Sequence, residues 1–253
     1  MSLIDLSQLV VVLVAPRQPG NIGAVCRAMA NFGVLDLRLV TPCDRFHPEA
    51  VKFAVDAKPL LGQAQLYETL PDALADLTMS VALTRRCGRL RGKLHPVSHV
   101  APLITSLPAD SKIGLVFGRE DCGLSTDEVA QCTRAATITT SGSKGARGSL
   151  NLAQAVVVTL YELSREPSIE VPLVEEVNDI LPTQQDTDAL MCQVDRLIHR
   201  VGYSNPSRPE VFRAMLSNLM VKARPSKKEL NMLRGLVEQL SQSVQDWPGR
   251  RRG

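Results

Sequence analysis

A chain of 253 residues with 44% hydrophobic residues is long and apolar enough to bury a core, in one large domain or two modest ones. No apolar run has the length of a membrane span, and Asp5 stands where a secretory signal carries positive charge, which predicts a soluble, cytoplasmic protein without a membrane partner. The net charge is only +3, and six cysteines without a C-x-x-C pair argue against a zinc knuckle or a disulfide framework. His95 and His99 have no third ligand nearby, so no metal site is predicted.

The first two thirds of the chain alternate between short apolar runs and helical patterns. Continuous β-branched runs predict buried parallel strands at residues 9–16, 37–42, 80–85, 113–118 and 136–140. Helical patterns occupy residues 21–32, 71–77, 98–106, 125–132 and 149–165. This alternation predicts an α/β fold, an open parallel sheet with crossover helices, in which ligands bind at the carboxyl ends of the strands.

A proline-rich, acidic stretch follows this pattern. Residues 166–195 contain no Lys or Arg, and three prolines interrupt any regular period. We therefore predict a first domain at 1–166, a linker at 167–185 and a small α-helical extension at 186–253.

The extension is predicted to be helical and basic. Its three amphipathic segments lie at about 187–200, 208–222 and 226–244, and Ser226 with Glu229 forms a capping-box pattern. The extension contains 12 Lys and Arg against 7 Asp and Glu, and the segment RRCGRLRGK at 85–93 adds five cations without an acid. Charge runs are usually solvated surfaces, but two of them on a near-neutral body favour a polyanionic partner.

Glycine-containing turns with polar side chains follow three of the predicted strands. In APRQPGNIGAVCRAMANFG, Asn21 is a good helix N-cap, and Arg27 lies among small and apolar residues, where a guanidinium needs an anion from the protein or from a ligand. In VFGREDCGLSTDEV, Glu120 follows Gly118 at a strand end. Helix capping or a surface turn explains each of these turns, taken alone, as well as a function does.

The third turn, SGSKGARGSLNLAQ, places three glycines and two cations before a helix that begins near Ser149. Free amides at that helix start can hold an anion or the polar part of a cofactor, although Ser149 as a plain N-cap is the simpler reading. The glycine spacing matches neither a P-loop nor a dinucleotide fingerprint, which disfavours nucleotide hydrolysis and nicotinamide chemistry.

The segments NIGAVCRAMANFG, LVFGREDCGL and SLNLAQAVVVTLYEL resemble, in order and spacing, the three signature motifs of the SpoU branch of the SPOUT methyltransferases. The tail LMVKARPSKKELNMLRGLVEQL is similar to the helical extension of the bacterial members that methylate nucleotide 32 of the tRNA anticodon loop. The resemblance implies 2′-O-ribose methylation of cytidine or uridine in tRNA, with S-adenosylmethionine as cofactor. It also implies a C-terminal trefoil knot in the sheet and a homodimer that completes the active site.

The resemblance also assigns roles to single residues. Its catalytic group comprises Asn21, Arg27, Glu120, Ser149 and Asn151. Its cofactor-binding set comprises Leu83, Thr84, Arg85, Gly118, Ile138, Ser149, Leu150 and Leu152.

A ribose hydroxyl is a poor nucleophile, so the site must align it with the methyl donor and remove its proton. Because an arginine side chain stays protonated in proteins, we assign Arg27 to clamp the target phosphate and stabilise the developing alkoxide, rather than to act as base. Ser149 and Asn151 then orient the hydroxyl.

Basic residues are expected to hold the RNA stem by its phosphates. The residues assigned to RNA binding are Arg86, Arg89, Arg91, Lys93, Lys222, Arg224, Lys227 and Lys228. Few aromatic residues argue against base stacking as the main mode. Two alternatives stay open: the same reaction on rRNA or on another tRNA position, and a non-catalytic RNA-binding regulator on the same fold.

Overall fold

The computed structural model describes residues 4–85, 94–140, 150–165, 181–203, 210–223 and 225–244. They fall into two compact units, divided between residues 176 and 177. The predicted linker lies mostly outside the described residues, and its limits stay a prediction. Within the described ranges, no helix is long and apolar enough to cross a membrane.

The first unit is built on a parallel sheet of seven strands. These are β1 (Leu9–Val14), β2 (Asp36–Val40), β3 (Gln65–Tyr67), β4 (Met79–Leu83), β5 (His95–Pro96), β6 (Ile113–Phe117) and β7 (Arg134–Thr137). Their order across the sheet is β3-β2-β1-β6-β4-β7-β5, and every pair is parallel. The prediction of a parallel α/β sheet is therefore confirmed.

The five predicted strands are present, with shifted ends. The strand predicted at 9–16 ends at Val14, because Ala15 has a φ of 46°, which a strand cannot contain. The strand predicted at 136–140 is β7, which begins at Arg134. The edge strands β3 and β5 were not predicted, since segments of two or three half-exposed residues carry no hydrophobic period.

The helices of the first unit cover both faces of the sheet. They are α1 (Pro19–Asn31), α2 (Pro48–Ala54), α3 (Lys58–Gln63), α4 (Leu70–Leu74), α5 (Ala101–Thr105), α6 (Thr126–Ala130) and α7 (Leu152–Ser164). The sequence pattern did not predict α2 and α3. The helix predicted at 98–106 is a 3-10 turn followed by the short α5.

The alternating side chains of β1 supply two cores, which explains its unbroken apolar run. Leu9, Val11 and Leu13 pack with α1 and α7 on one face of the sheet. Val10 and Val12 pack with α4 on the other. A strand buried on both faces needs apolar residues at every position.

Helices α1 and α2 touch through a glycine. A Cβ built on Gly23 would lie 2.1 Å from the carbonyl oxygen of Ala50, a distance that real Cβ atoms do not show. The close approach fixes α2 beside the first turns of α1, which contain Asn21.

The second unit contains α8 (Gln184–Arg200), α9 (Glu210–Ala223) and α10 (Lys227–Ser243), as the sequence predicted to within a few residues. The predicted capping box is confirmed: the Ser226 hydroxyl accepts from the Glu229 amide, and the Glu229 carboxylate accepts from the Ser226 amide. Lys227 forms an ion pair with Asp186, with 3.1 Å between Nζ and Oδ2.

Candidate active site

The Glu120 carboxylate binds the start of α1. It accepts hydrogen bonds from the backbone amides of Arg17, at 2.9 Å, and Gln18, at 3.0 Å. The N-cap of α1 is Gln18, whose side chain makes no capping bond, and Pro19 occupies the first turn. The prediction that Asn21 is the N-cap is wrong, because the helix begins earlier, at a proline that fits its first turn. Glu120 binds the two amides that directly precede this proline.

The Asn21 side chain joins the first and second motifs. Its Nδ2 donates to Glu120 Oε1, at 2.9 Å, and to Gln18 Oε1, at 3.1 Å. These two bonds use both protons of the amide and fix its orientation, so Oδ1 points away from Glu120. Asn21 is buried.

Asn151 joins the third motif to the same chain of hydrogen bonds. Its Nδ2 donates to Asn21 Oδ1 at 2.9 Å, while its Oδ1 accepts from the amides of Ala153 and Gln154. Asn151 is thus the N-cap of α7, in a capping box with Gln154. The interpretation of Ser149 as the N-cap is wrong for this reason; Ser149 itself lies outside the described residues.

Glu120 has a lowered pKa. Burial opposes ionisation, but the hydrogen bonds from Asn21 and from the amides of Arg17 and Gln18 stabilise the carboxylate more strongly. A carboxylate that holds three N–H groups and resists protonation is suited to fixing Asn21 in place. It is poorly suited to accepting a proton from a substrate.

A cavity of about 200 Å³ opens at the carboxyl ends of β4, β6 and β7, beside Glu120. The cofactor-binding residues that the sequence predicted and the structure describes all line it: Leu83, Thr84, Arg85, Gly118, Ile138, Leu150 and Leu152. The structure therefore brings the whole described set together. Within the described ranges, no group of His, Cys, Asp or Glu could hold a metal ion.

Gly118 closes the turn between β6 and α6. A Cβ at this position would lie 2.2 Å from the backbone carbon of Gly123 and from the amide nitrogen of Leu124. The turn returns on itself, and the Gly123 amide donates to the Arg119 carbonyl at 2.8 Å. Only glycine allows this turn, which places Glu120 between the cavity and α1.

Arg27 lies on the exposed surface of α1. The described residues offer it no hydrogen bond or ion pair, although the sequence predicted that it needs an anion. Gly20, Gly23 and Arg27 are spaced three and four residues apart, so they share one face of α1. This face lies toward α2. The guanidinium is therefore available to a ligand.

The predicted RNA-binding residues are mostly untested by the structure. Arg86, Arg89, Arg91, Lys93 and Arg224 lie outside the described residues, and the side chain of Lys222 is not described. Lys228 is exposed, as an RNA contact requires. Lys227 already binds Asp186 within the helical unit, so its charge is partly neutralised.

Sequence reasoning did not select Gln18 and Arg17. Gln18 orients Asn21, and Arg17 forms an ion pair with Asp121 across the two loops. One signal was available: both residues directly precede the helix that carries Asn21, where backbone amides are free.

Comparisons with known proteins agree with this geometry. The sequence profile of the SpoU rRNA methylase family matches residues 8–161, which include the whole chain of hydrogen bonds and the cavity. The tRNA (cytidine/uridine-2'-O-)-methyltransferase TrmJ of Klebsiella pneumoniae is 30% identical over 237 residues, which is 92% of this chain and 96% of that protein.

Two solved structures are similar over most of their length. TrmJ from Z. mobilis ZM4 has a TM-score of 0.74 and 31% identity, covering 92% of this chain and 98% of that one. A putative methylase family protein from Neisseria gonorrhoeae has a TM-score of 0.62 and 30% identity, covering 76% of this chain and 97% of that one. This chain therefore belongs to the SpoU methylase family.

Proposed function

We propose that this chain transfers the methyl group of S-adenosylmethionine to the ribose 2′-hydroxyl of nucleotide 32, a cytidine or uridine, in the tRNA anticodon loop. One observation carries the proposal: the bonds from Glu120 to Asn21 and from Asn21 to Asn151 unite the three family motifs beside the cavity. The similarity to TrmJ over nine tenths of the chain supports tRNA as the substrate.

The cavity residues fit the cofactor, which supplies an electrophilic methyl group when bound. Leu83, Ile138, Leu150 and Leu152 offer apolar side chains for a flat purine ring. Thr84, Gly118 and Thr137, at the ends of β4, β6 and β7, also line the cavity and bring main-chain polar groups to it. Arg85 lies at the same cavity and suits a carboxylate.

Asn151 is the described residue best placed to bind the ribose oxygen. Its Oδ1 is occupied by two amides of α7, and one proton of its Nδ2 is held by Asn21. The other Nδ2 proton has no acceptor among the residues that the structure describes, so it can donate to a ligand. Asn21 and Glu120 act as positioning residues, because they fix the direction of that N–H.

Arg27 clamps the target phosphate and stabilises the alkoxide as the hydroxyl proton passes to solvent water and the methyl group leaves the sulfonium sulfur for the ribose oxygen. This role requires an exposed guanidinium that can bind a phosphate. Arg27 is exposed and forms no ion pair with the described residues. Neutral amides cannot take the proton, and the lowered pKa of Glu120 argues against it as base. Ser149 completes the group in this proposal by orienting the hydroxyl.

The enzyme works as a cytoplasmic homodimer with a trefoil knot in the C-terminal part of its sheet, as the family resemblance implies. Val157 and Tyr161 support a dimer, since these apolar side chains lie one turn apart on the exposed face of α7. The helical unit holds the tRNA stem, with Lys228 among its exposed cations.

Labelled S-adenosylmethionine and transcribed tRNA test the reaction. After incubation, mass spectrometry of nuclease fragments should locate one methyl group on the ribose of nucleotide 32. The Arg27→Ala variant is the control, and it should leave nucleotide 32 unmethylated under the same conditions. A methyl group at another tRNA nucleotide, or only on rRNA, would show that the assigned position is wrong.

A non-catalytic RNA-binding regulator is the second candidate. Calorimetry with S-adenosylmethionine, with and without tRNA, separates the two, because a non-catalytic regulator binds tRNA and has no need to bind the methyl donor. Removal of the chain after Leu181 tests the helical unit, and we expect weaker tRNA binding with a shallower salt dependence. Unchanged affinity in this truncated chain would exclude the helical unit from RNA binding.

A further inference from the structure

Phe46, in the segment between β2 and α2, is a large aromatic side chain held outside the core. Phe46 is 56% exposed, so much of its apolar area gains nothing from burial in the core. Its position is nevertheless fixed: the Phe46 amide donates to Asp44 Oδ1 at 2.9 Å. An exposed ring on an ordered turn is typical of an interaction site.

A cation supports this ring from one side. The Arg45 guanidinium lies 4.8 Å from the centroid of the Phe46 ring. Arg45 Nη1 also donates to the carbonyl oxygen of Ala64 at 2.6 Å, which holds the guanidinium in place. Arg45 and Phe46 thus form an ordered stack, and the rest of the ring is open to solvent.

This stack lies close to the candidate active site. The Cys43 amide donates at 3.0 Å to the carbonyl of Pro16, in the loop whose next two amides bind Glu120. Three residues of chain span at most about 11 Å, so Phe46 cannot lie far from that loop. The following helix, α2, packs against the face of α1 that also carries Arg27.

We propose that the Arg45–Phe46 stack is a platform for one unpaired base of the RNA loop that contains the methylated ribose. An aromatic ring and a guanidinium are the groups on which unpaired bases stack, and every base offers such a face. The added positive charge suits the phosphate attached to that base. The inference rests on the proposed function, because it deepens how the same site recognises a single-stranded loop.

Substitutions at Phe46 test the platform through tRNA affinity, measured by filter binding. We expect roughly 5- to 150-fold weaker binding for Phe46→Ala, the fold-change for a stacked base worth about 1–3 kcal/mol. Phe46→Leu should be nearly as weak, since it keeps apolar volume without an aromatic face, while Phe46→Trp should bind like wild type. Phe53→Ala is the matched control: Phe53 is 46% exposed in α2, and no described cation lies over its ring.

A second arm uses the wild-type chain and tRNAs with an abasic nucleotide at each unpaired loop position in turn. For the wild-type chain, one abasic position should weaken tRNA binding as much as Phe46→Ala does. For the Phe46→Ala variant, the same abasic tRNA should bind nearly as well as the intact tRNA. Wild-type affinity of Phe46→Ala, wild-type affinity of Phe46→Leu, or an equal loss of affinity in Phe53→Ala would overturn the platform. A changed oligomeric state of Phe46→Ala with unchanged tRNA affinity would also overturn the platform, because the Phe46 ring would then contact a second copy of the chain.

Failure of the platform is distinguishable from failure of the proposed function. If the wild-type chain neither binds nor methylates tRNA, the proposed function is wrong, and the platform with it. If it does both, and Phe46→Ala matches it in affinity, only the platform is wrong.

Discussion

Two polar clusters of the first unit use their charges in opposite ways. Around Arg38, in β2, the charges are directed at one another: Arg38 is 1% exposed, and its guanidinium binds Asp76, Asp36 and the carbonyl of Ala73. Around Asn21, the hydrogen bonds run in a chain that ends at Asn151, whose second Nδ2 proton has no acceptor among the described residues. Arg27 nearby is exposed and has no ion pair to the described residues.

The difference separates a stabilising cluster from a binding one. A buried guanidinium needs anions from the protein itself, and Arg38 in turn lowers the pKa of Asp76 through a hydrogen bond, which outweighs the effect of burial. A site for a ligand keeps donors and charge unpaired until the ligand arrives. The two clusters should therefore respond differently to substitution, in stability for one and in activity for the other.

The largest expected effect is on stability, at Arg38. Arg38→Ala empties the space of a fully buried side chain and takes the guanidinium from Asp36 and Asp76, of which Asp76 keeps Lys112 at 3.5 Å. We expect the free energy of unfolding to fall by about 2–5 kcal/mol. Urea unfolding measures this. Arg17→Ala is the matched control, because it breaks an exposed ion pair with Asp121 and should cost under about 1 kcal/mol. Equal losses in the two variants would contradict the comparison.

The second effect is on the rate, at Arg27. Arg27→Ala should lower the single-turnover methylation rate by about 10²–10³-fold, the cost of losing one preorganised donor to a developing oxyanion. Its free energy of unfolding should change by less than about 0.5 kcal/mol, as for other exposed side chains. A wild-type rate in the folded variant would remove Arg27 from the chemistry.

The third effect is smaller and affects both properties, at Asn21. Asn21→Ala breaks the chain between Glu120 and Asn151, and leaves the half-buried Glu120 carboxylate with one donor fewer. We expect a loss of about 1–3 kcal/mol in unfolding free energy and about a tenfold slower methyl transfer at unchanged tRNA affinity. Single-turnover methylation assays measure the rate, and urea unfolding measures the stability. If the rate is unaffected, Asn151 does not depend on Asn21 for its orientation.

The smallest effect is the pH dependence of stability contributed by Glu120. Because its folded-state pKa is lowered, Glu120 contributes stability above its unfolded pKa of about 4.3, and this is lost as pH falls through the folded pKa. Unfolding measured from pH 7 to pH 3 should show a steeper loss for wild type than for Glu120→Gln. Asp127→Asn, at an exposed carboxylate in α6, makes the same charge change and should keep the wild-type slope.

Local patterns in the sequence were sufficient for the main strands and the three C-terminal helices. The apolar run of β1 predicts a strand buried on both faces, because each of its residues enters one of two cores. The capping box at Ser226 is likewise contained within four residues. The cavity residues were carried over from the family motifs, and the motifs lie at strand ends that a parallel sheet brings to one edge.

Contacts between distant residues could not be predicted in this way. Nothing near Arg38 in the sequence shows that Asp76 will bind it. Nothing near Asn21 shows that Glu120 will accept hydrogen bonds from Asn21 and from the amides directly before α1. For the same reason, Asn21 was wrongly expected to be an N-cap. The roles of Arg27 and Ser149 stay predictions.

The sequence by itself determined the five long strands of the sheet, the three C-terminal helices and the turns that contain glycine, since these depend on side-chain periodicity and on local backbone sterics. The tertiary structure decided which polar groups find partners and which stay free, as the contrast between Arg38 and Arg27 shows. The physical reason is that a hydrogen bond or an ion pair acts over a few ångströms of space, and the residues it joins lie 38, 99 or 130 positions apart along the chain.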